Sequence, residues 1–241
     1  MDYSQIRLIA MDMDGTLTQH KTPLEAPNRA ALDALGNRYH LLMVGAGQCK
    51  RIFNQLEGYP IDIVGNYGMQ VCEYDHNAQG LTVIRDSRVD CDREETERRV
   101  TELRQRFGFT EFVGDNVEYH VSGCVTFPIL GTKAALPDKL AFDPDRSKRR
   151  AIYQQVVDMF PEYHVFVGGT SSFDMAPRPY NKLHGLLDYC QRHGYQPHEV
   201  LFIGDDYGMG GNDEDVYLSD VPFLTIDDYT TFPQKVEPLL K

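Results

Sequence analysis

Ile6-Arg7-Leu8-Ile9-Ala10-Met11-Asp12-Met13-Asp14-Gly15-Thr16-Leu17-Thr18 decides how this chain folds. Apart from Arg7, the side chains from Ile6 to Met11 are apolar, and the run then breaks into acid. That is the pattern of a buried strand reaching a surface. Side chains alternate along an extended chain, so the spacing predicts Asp12 and Asp14 on one side and Met13 turned back to the core. Two carboxylates on one side, with Cα atoms roughly 6–7 Å apart, repel unless a cation or a shared proton sits nearby. Gly15 permits the sharp turn that follows. The alternative, a solvated acidic loop, leaves the DxDGT spacing at a strand end unexplained.

Outward from this stretch the chain alternates between strand and helix. Asn28 to Arg38 reads as an amphipathic helix, His40 to Val44 as a buried strand, and a second helix follows Gly45-Ala46-Gly47-Gln48 and runs through Leu56. Ile61 to Val64 is a third strand, ending at Gly65-Asn66-Tyr67-Gly68. The rhythm returns after Tyr180 with a helix over 181–193, strands over 200–203 and 222–226, and a closing helix. Alternation of this kind predicts an α/β fold with a Rossmann-like parallel-sheet core, whose ligands bind at the carboxyl ends of the strands.

Between these halves the pattern differs. A hairpin is expected with its tip at Asp75 to Gly80, then a helix over 93–107 with Thr96, Val100, Leu103 and Phe107 on one face. Val117 to Ser122 alternates strictly and reads as a strand with one polar face. Further strands are expected over 124–127, 163–167 and 172–176, with a helix over 146–160. We expect an inserted α+β cap at 86–178, between core segments 1–85 and 179–241. Such a cap would act as a lid over the strand ends, with the ligand in the cleft.

At 241 residues the chain is long enough for a full core, and its composition is that of a globular protein. A net charge of -12 argues against nucleic-acid or anionic-membrane partners, which require basic patches. An anionic substrate must therefore meet a local cation. Five cysteines without CxxC spacing suggest neither a disulfide framework nor a zinc site. Asp2, Asp12 and Asp14 speak against a signal peptide, and no apolar run nears the ~18 residues of a membrane span. The expectation is cytoplasmic.

A second acidic loop, Gly204-Asp205-Asp206-Tyr207-Gly208-Met209-Gly210-Gly211-Asn212-Asp213, also follows a buried strand. Acids from two strand ends would offer hard oxygen ligands that suit Mg²⁺. The spacing after Asp205 is not that of an EF-hand. Lys182 opens the helix that re-enters the core, where its ammonium could neutralise charge during transfer. Gly45-Ala46-Gly47 lacks the third glycine of a dinucleotide fingerprint, since Lys50 stands there. It reads instead as a turn whose backbone N–H groups cradle phosphate.

DxDGT at the end of the first strand resembles motif one of the haloacid dehalogenase superfamily of aspartate-nucleophile phosphotransferases, and Lys182 resembles its third motif. DMDGTLT, VGAG, NYG, VGGTSSFDMAP followed by NK, and IGDDYGMGGND are similar to their counterparts in eukaryotic-type phosphomannomutases and related α/β-capped sugar-phosphate phosphatases. The resemblance implies Asp12 as nucleophile, Asp14 as general acid and base, and Asp205 as a Mg²⁺ ligand together with Asp12 and the Asp14 carbonyl. Asn212 and Asp213 would support the metal, and Ser172 and Asp174 would face substrate. Where those mutases place arginines for the far phosphate, this chain has Lys21, His120, Thr132 or Lys133, and Lys139. Lysine gives a point charge where guanidinium gives a bidentate fork. Gly47 and Gln48 replace the usual hydroxyl of the phosphate turn. The expected function is a Mg²⁺-dependent phosphatase of a small sugar phosphate, with a phosphohexomutase as the alternative. A binding protein with a dead site is disfavoured because the charged catalytic positions are filled. Oligomerisation through the cap is left open.

Overall fold

The structure is a computed structural model that describes residues 3–241; Asp2 lies outside the described residues. In chain order the first elements are β1 (Leu8–Met11), α1 (Ala26–Gly36), β2 (His40–Val44), α2 (Cys49–Gln55), β3 (Asp62–Gly65), β4 (Gln70–Asp75) and β5 (Gly80–Asp86). Next come α3 (Arg93–Phe107), β6 (Glu118–Tyr119), β7 (Val125–Pro128), α4 (Leu136–Phe142), α5 (Ser147–Met159), β8 (Tyr163–Phe166) and β9 (Ser172–Pro177). The last are α6 (Lys182–His193), β10 (Val200–Gly204), α7 (Glu214–Tyr217), β11 (Phe223–Thr225) and α8 (Phe232–Val236). The chain divides into two compact units. One runs through Asp86 and resumes over Asn181–Gly208 and Asp213–Lys241; the other is Ser87–Tyr180 with Met209–Asn212. No helix among the described residues is long and apolar enough to cross a membrane.

The first unit is built on a seven-stranded sheet in the order β11-β10-β1-β2-β3-β4-β5. The pairs from β11 to β3 are parallel, and β4 and β5 add an antiparallel hairpin. Both β1 and β10 are buried along their whole length, as strands covered on two faces must be. Ile9, Met11 and Met13 pack with Leu32 and Leu35 of α1, Ile52 of α2 and Phe232 of α8. Leu8 and Ala10 point the other way, toward Leu186 and Tyr189 of α6 and Val216 of α7. β1 lies between β10 and β2, with Met11 level with both Ile203 and Met43. Asp12, Gly45 and Asp205 therefore leave from neighbouring strand ends, at the switch point where ligands of such sheets bind.

The second unit has an antiparallel sheet in the order β6-β7-β9-β8. Phe127, Phe173 and Met175 form its core with Val100 and Leu103 of α3 and Val156 of α5. Two of its arginines are internal braces. Arg104 donates to the carbonyls of Pro128 and Ile129, each at 2.7 Å, and burial pulls its pKa down to about 10. Arg149 Nε pairs with Asp143 Oδ2 at 2.8 Å with both side chains fully buried. Its Nη1 also donates to the carbonyls of Gly168 (2.5 Å) and Ser172 (2.9 Å).

The stretch Val117–Ser122 differs from expectation. Only Glu118 and Tyr119 pair with β7, and Val121 is 74% exposed. The chain turns back at once, with the Gly123 N–H donating to the His120 carbonyl, so turn chemistry overrides the alternating pattern. Helix α4 was not expected either. It is seven residues long and buries none of them, so its apolar pair, Leu136 and Leu140, is too short a stripe to read.

Replacing Asp143 with asparagine leaves the Arg149 guanidinium buried without its counter-charge. Loss of about 3–5 kcal/mol is expected in denaturant unfolding of the second unit. Burial favours the neutral acid of Asp143, but Arg149 and two backbone N–H groups outweigh it and hold the pKa below the ordinary 3.8. The wild-type advantage over Asp143→Asn should thus be full above about pH 4 and vanish as pH falls through that lowered value.

Candidate active site

Asp12 is the first residue beyond β1, and its N–H still donates to the Ile203 carbonyl at 2.9 Å. Its side chain is nearly buried, and Oδ1 lies 2.7 Å from Lys182 Nζ. Lys182 is fully buried and also reaches Asp213 Oδ1 at 2.7 Å. The lysine is held there because it opens α6, whose first turn is capped by Asn181 accepting from the His184 N–H. Asn181 also donates to Asp215 at 2.7 Å, which ties α6 to α7 beside Asp213. Asp213 Oδ2 accepts the Asp206 N–H at 3.1 Å. Asp205, just past β10, accepts the Thr16 hydroxyl at 2.9 Å. Ligand atoms of Asp12, Asp205 and Asp213 all lie within 4.8 Å of one another.

Gly15 makes this packing feasible. Its φ is +98°, and a Cβ there would overlap both carboxylate oxygens of Asp205. Three carboxylates thus gather beside one ammonium, and the surroundings raise the pKa of Asp12 and Asp205. Burial pushes the Asp12 pKa well up, and Asp213 and Asp205 add to this against the pull of Lys182. Asp205 is raised to about 6, mainly by burial and then by Asp213. Burial alone would lower the Lys182 pKa, but Asp12 and Asp213 outweigh it and raise it. A buried set of carboxylate oxygens short of positive charge fits a hard divalent cation.

Asp14 sits in different surroundings. β1 ends at Met11, and the Met13 carbonyl accepts the N–H groups of Leu17 (2.8 Å) and Thr18 (3.0 Å) in a tight turn. Asp14 is therefore placed by that turn and not by strand alternation. It accepts from Gln55 Nε2 at 2.7 Å and from the Lys21 N–H at 2.9 Å, with Arg51 Nη2 at 3.5 Å. Burial pushes its pKa up, but these donors, with the charges of His20 and Arg51, outweigh burial and lower it. Lys21 contributes its backbone here, while its side chain is exposed.

The Gly45-Ala46-Gly47 turn is braced by the segment after β3. Asn66 donates to the Gly47 carbonyl at 2.8 Å and Tyr67 to that of Gly45 at 3.3 Å. The Gly45 N–H is committed to Val64 and that of Cys49 to Gln70, so neither amide can serve an anion.

Ser172, Asp174, Lys133, Lys139 and Asn212 belong to the second unit. Asp174 accepts the Thr126 hydroxyl at 3.0 Å, and that hydroxyl meets His120 Nε2 at 3.1 Å, a chain of three polar groups. Ser172 Oγ donates to the Gly168 carbonyl at 3.1 Å. Lys139 Nζ donates to the Thr132 carbonyl at 3.2 Å, the Thr132 hydroxyl to Asp115, and Lys133 is exposed. Asn212 is half-buried. Sequence reasoning missed Gln55, Arg51 and Thr126. All three are placed by long-range packing, and only Thr126, in the strand opposite Asp174, follows from strand register.

A parallel-dominated α/β sheet with an aspartate at the end of its first strand, beside a buried lysine and a second acidic loop, defines an enzyme of the haloacid dehalogenase superfamily. The family model for eukaryotic phosphomannomutase matches residues 29–236, and the chain belongs to that family. It is 23% identical over 229 residues to the phosphomannomutase of Saccharomyces cerevisiae, covering 88% of this chain and 85% of that one. An N-terminally truncated IMP-nucleotidase of Plasmodium falciparum has a similar fold, with a TM-score of 0.71 at 15% identity over 99% of this chain and 70% of its own. A phosphatase of the same superfamily from Bacteroides thetaiotaomicron superimposes with a TM-score of 0.64 at 15% identity, covering 96% of this chain and 94% of its own.

Gly15→Ala should place a methyl group against the Asp205 carboxylate in a backbone conformation that alanine resists. Destabilisation of about 1–3 kcal/mol is expected from denaturant melts. A wild-type midpoint in that variant would mean that Asp205 is free to move aside.

Proposed function

We propose that this protein is a Mg²⁺-dependent phosphatase that acts on a sugar phosphate or similar small phosphomonoester through an aspartyl-phosphate on Asp12. The observation that carries the reading is the buried Asp12–Lys182 pair inside a cluster of three carboxylates. One Asp12 oxygen is held by the ammonium at 2.7 Å, which fixes the carboxylate for attack by the other. Asp12, Asp205 and the Asp14 carbonyl would hold the metal. Asp213, already engaged by Lys182 and the Asp206 N–H, would support it together with Asn212. When bound, Mg²⁺ supplies the charge that offsets repulsion between Asp12 and the incoming phosphate.

In the first half of the reaction Asp12 forms a bond to phosphorus as the bond to the leaving oxygen breaks. Asp14 gives that oxygen a proton. In the second half Asp14 takes a proton from water, whose oxygen attacks phosphorus and frees both phosphate and Asp12. Lys182 neutralises charge on the transferring group. The contacts with Gln55 and the Lys21 N–H favour the ionised form of Asp14. Before its first role it must therefore take up a proton, from water or from the phosphomonoester monoanion, as these contacts give way to substrate.

The second reading is a phosphohexomutase, favoured by the family match and by relatives named as phosphomannomutases. A mutase must keep a bisphosphorylated sugar while it turns round, which calls for a firm hold on the distal phosphate. Charge-assisted forks provide such a hold, at roughly 1.5–3 kcal/mol each. None of the strands β6 to β9 carries a lysine or arginine. Arg104 and Arg149 are committed to carbonyls and Asp143, and Lys139 to the Thr132 carbonyl. Lys21, Lys133, Ser172 and Asp174 are the substrate contacts of this reading, and none of them offers the bidentate fork that retention calls for.

Phosphate release from a panel of sugar and polyol phosphates should require Mg²⁺, stop on chelation and return with added Mg²⁺. Full activity after exhaustive chelation would remove the metal from the proposal. Asp12→Asn should abolish turnover and leave the melting temperature within a few degrees of wild type. With a hexose 1-phosphate and its 1,6-bisphosphate supplied together, free phosphate should form faster than the 6-phosphate; the reverse order would make the mutase reading correct.

A further inference from the structure

One guanidinium beside the acid cluster has no part in the mechanism above. Arg51, on α2, has a side chain that is 44% exposed. Its Nη1 donates to Gln55 Oε1 at 3.1 Å, and its Nη2 reaches Asp14 Oδ2 only at 3.5 Å. Of five N–H donors in the fork, these contacts use two, and the charged one is long. The side chain lies flat across Gly47: a Cβ built on that residue would overlap Nε, Nη2 and the carbon between them. A glycine at 47 is what lets the guanidinium rest against the turn.

Charge balance gives this placement a purpose. Asp12, Asp205 and Asp213 gather beside one internal cation, Lys182, which is bonded to two of them at 2.7 Å, and Asp14, two residues after Asp12, adds a further carboxylate. A phosphate dianion entering here meets net negative charge. Arg51 is a cation with donors to offer at the Gly47 turn, and its Gln55 contact already fixes the plane of the fork. Guanidinium and phosphate match in a bidentate geometry that a lysine does not reproduce.

We propose that Arg51, seated over Gly47, binds a phosphoryl oxygen of the substrate and serves as the phosphate anchor of the Gly45–Gly47 turn. This inference rests on the phosphotransfer reading, so the decisive probe is inorganic phosphate, which binds whether or not any ester is turned over. Calorimetric titration with phosphate in the presence of Mg²⁺ should show affinity weakened at least tenfold in Arg51→Ala and partly recovered in Arg51→Lys. Melting temperatures should stay near wild type, because the side chain is half-exposed. Gly47→Ala should displace the flexible guanidinium and weaken phosphate to a similar extent, and the double variant should bind no more weakly than Arg51→Ala alone.

Wild-type phosphate affinity in Arg51→Ala would overturn the assignment, as would additive losses in the double variant. A role limited to holding Asp14 would leave phosphate affinity unchanged and would count as the same refutation. If the wild type binds phosphate through Arg51 yet hydrolyses no phosphomonoester, the phosphatase reading fails and the anchor stands. If the wild type hydrolyses esters and Arg51→Ala keeps its phosphate affinity, only the anchor fails.

Discussion

A fully buried ammonium, 2.7 Å from Asp12 on one side and 2.7 Å from Asp213 on the other, sets the terms for the rest of the first unit. Removing three charged groups from water is costly, and their attraction repays it only where geometry and extra hydrogen bonds are good. Each of the three has such support. The N–H of Asp12 bonds β10, Asp213 takes an amide from Asp206, and Lys182 is rooted in a capped helix. Asp205 is then one carboxylate too many, with its pKa raised to about 6. That imbalance is the physical reason to expect a divalent cation there.

The sheet order makes this gathering inexpensive in chain length. β1 sits at the switch point, with β2 on one side and β10 on the other, so residues nearly 200 positions apart meet at adjacent strand ends. Each meeting also needs room. At Gly15 and Gly47 the missing side chain leaves space for a charged group from elsewhere, a carboxylate in one case and a guanidinium in the other. Glycine beside a phosphate-binding turn usually suggests that backbone must approach a ligand. Here it admits a side chain.

The reading of the first strand rested on local pattern, and local pattern was enough. Leu8 to Met11 is apolar without interruption, and alternation placed Met13 in the core. Asp14 was less legible, because the turn closed by the Met13 carbonyl, not the strand, sets its direction. Gln55 and Arg51 were invisible in the sequence for a related reason. Nothing in their own helix marks them as neighbours of Asp14, and only the packing of α2 beside the β1 turn brings them there. The strict alternation of Val117 to Ser122 misled because six residues can satisfy a pattern by chance while a following glycine forces a turn. Helix α4 offers Leu136 and Leu140 at helical spacing, too short a stripe to read, and both are exposed.

Two guanidinium groups of the second unit are turned inward. Arg104 bridges carbonyls in its core at a cost in desolvation that lowers its pKa, and Arg149 balances Asp143 while gripping the loop before β9. What the sheet presents instead is the chain His120–Thr126–Asp174, a carboxylate backed by a hydroxyl and an imidazole. A carboxylate accepts hydrogen bonds from hydroxyl groups and repels phosphate. On the proposed reading, then, the Asp174 carboxylate suits the hydroxyl groups of a substrate better than its phosphate. A bisphosphate would need a second cationic seat, and Arg104 and Arg149 are not free to form one, because both are held by backbone carbonyls of their own unit.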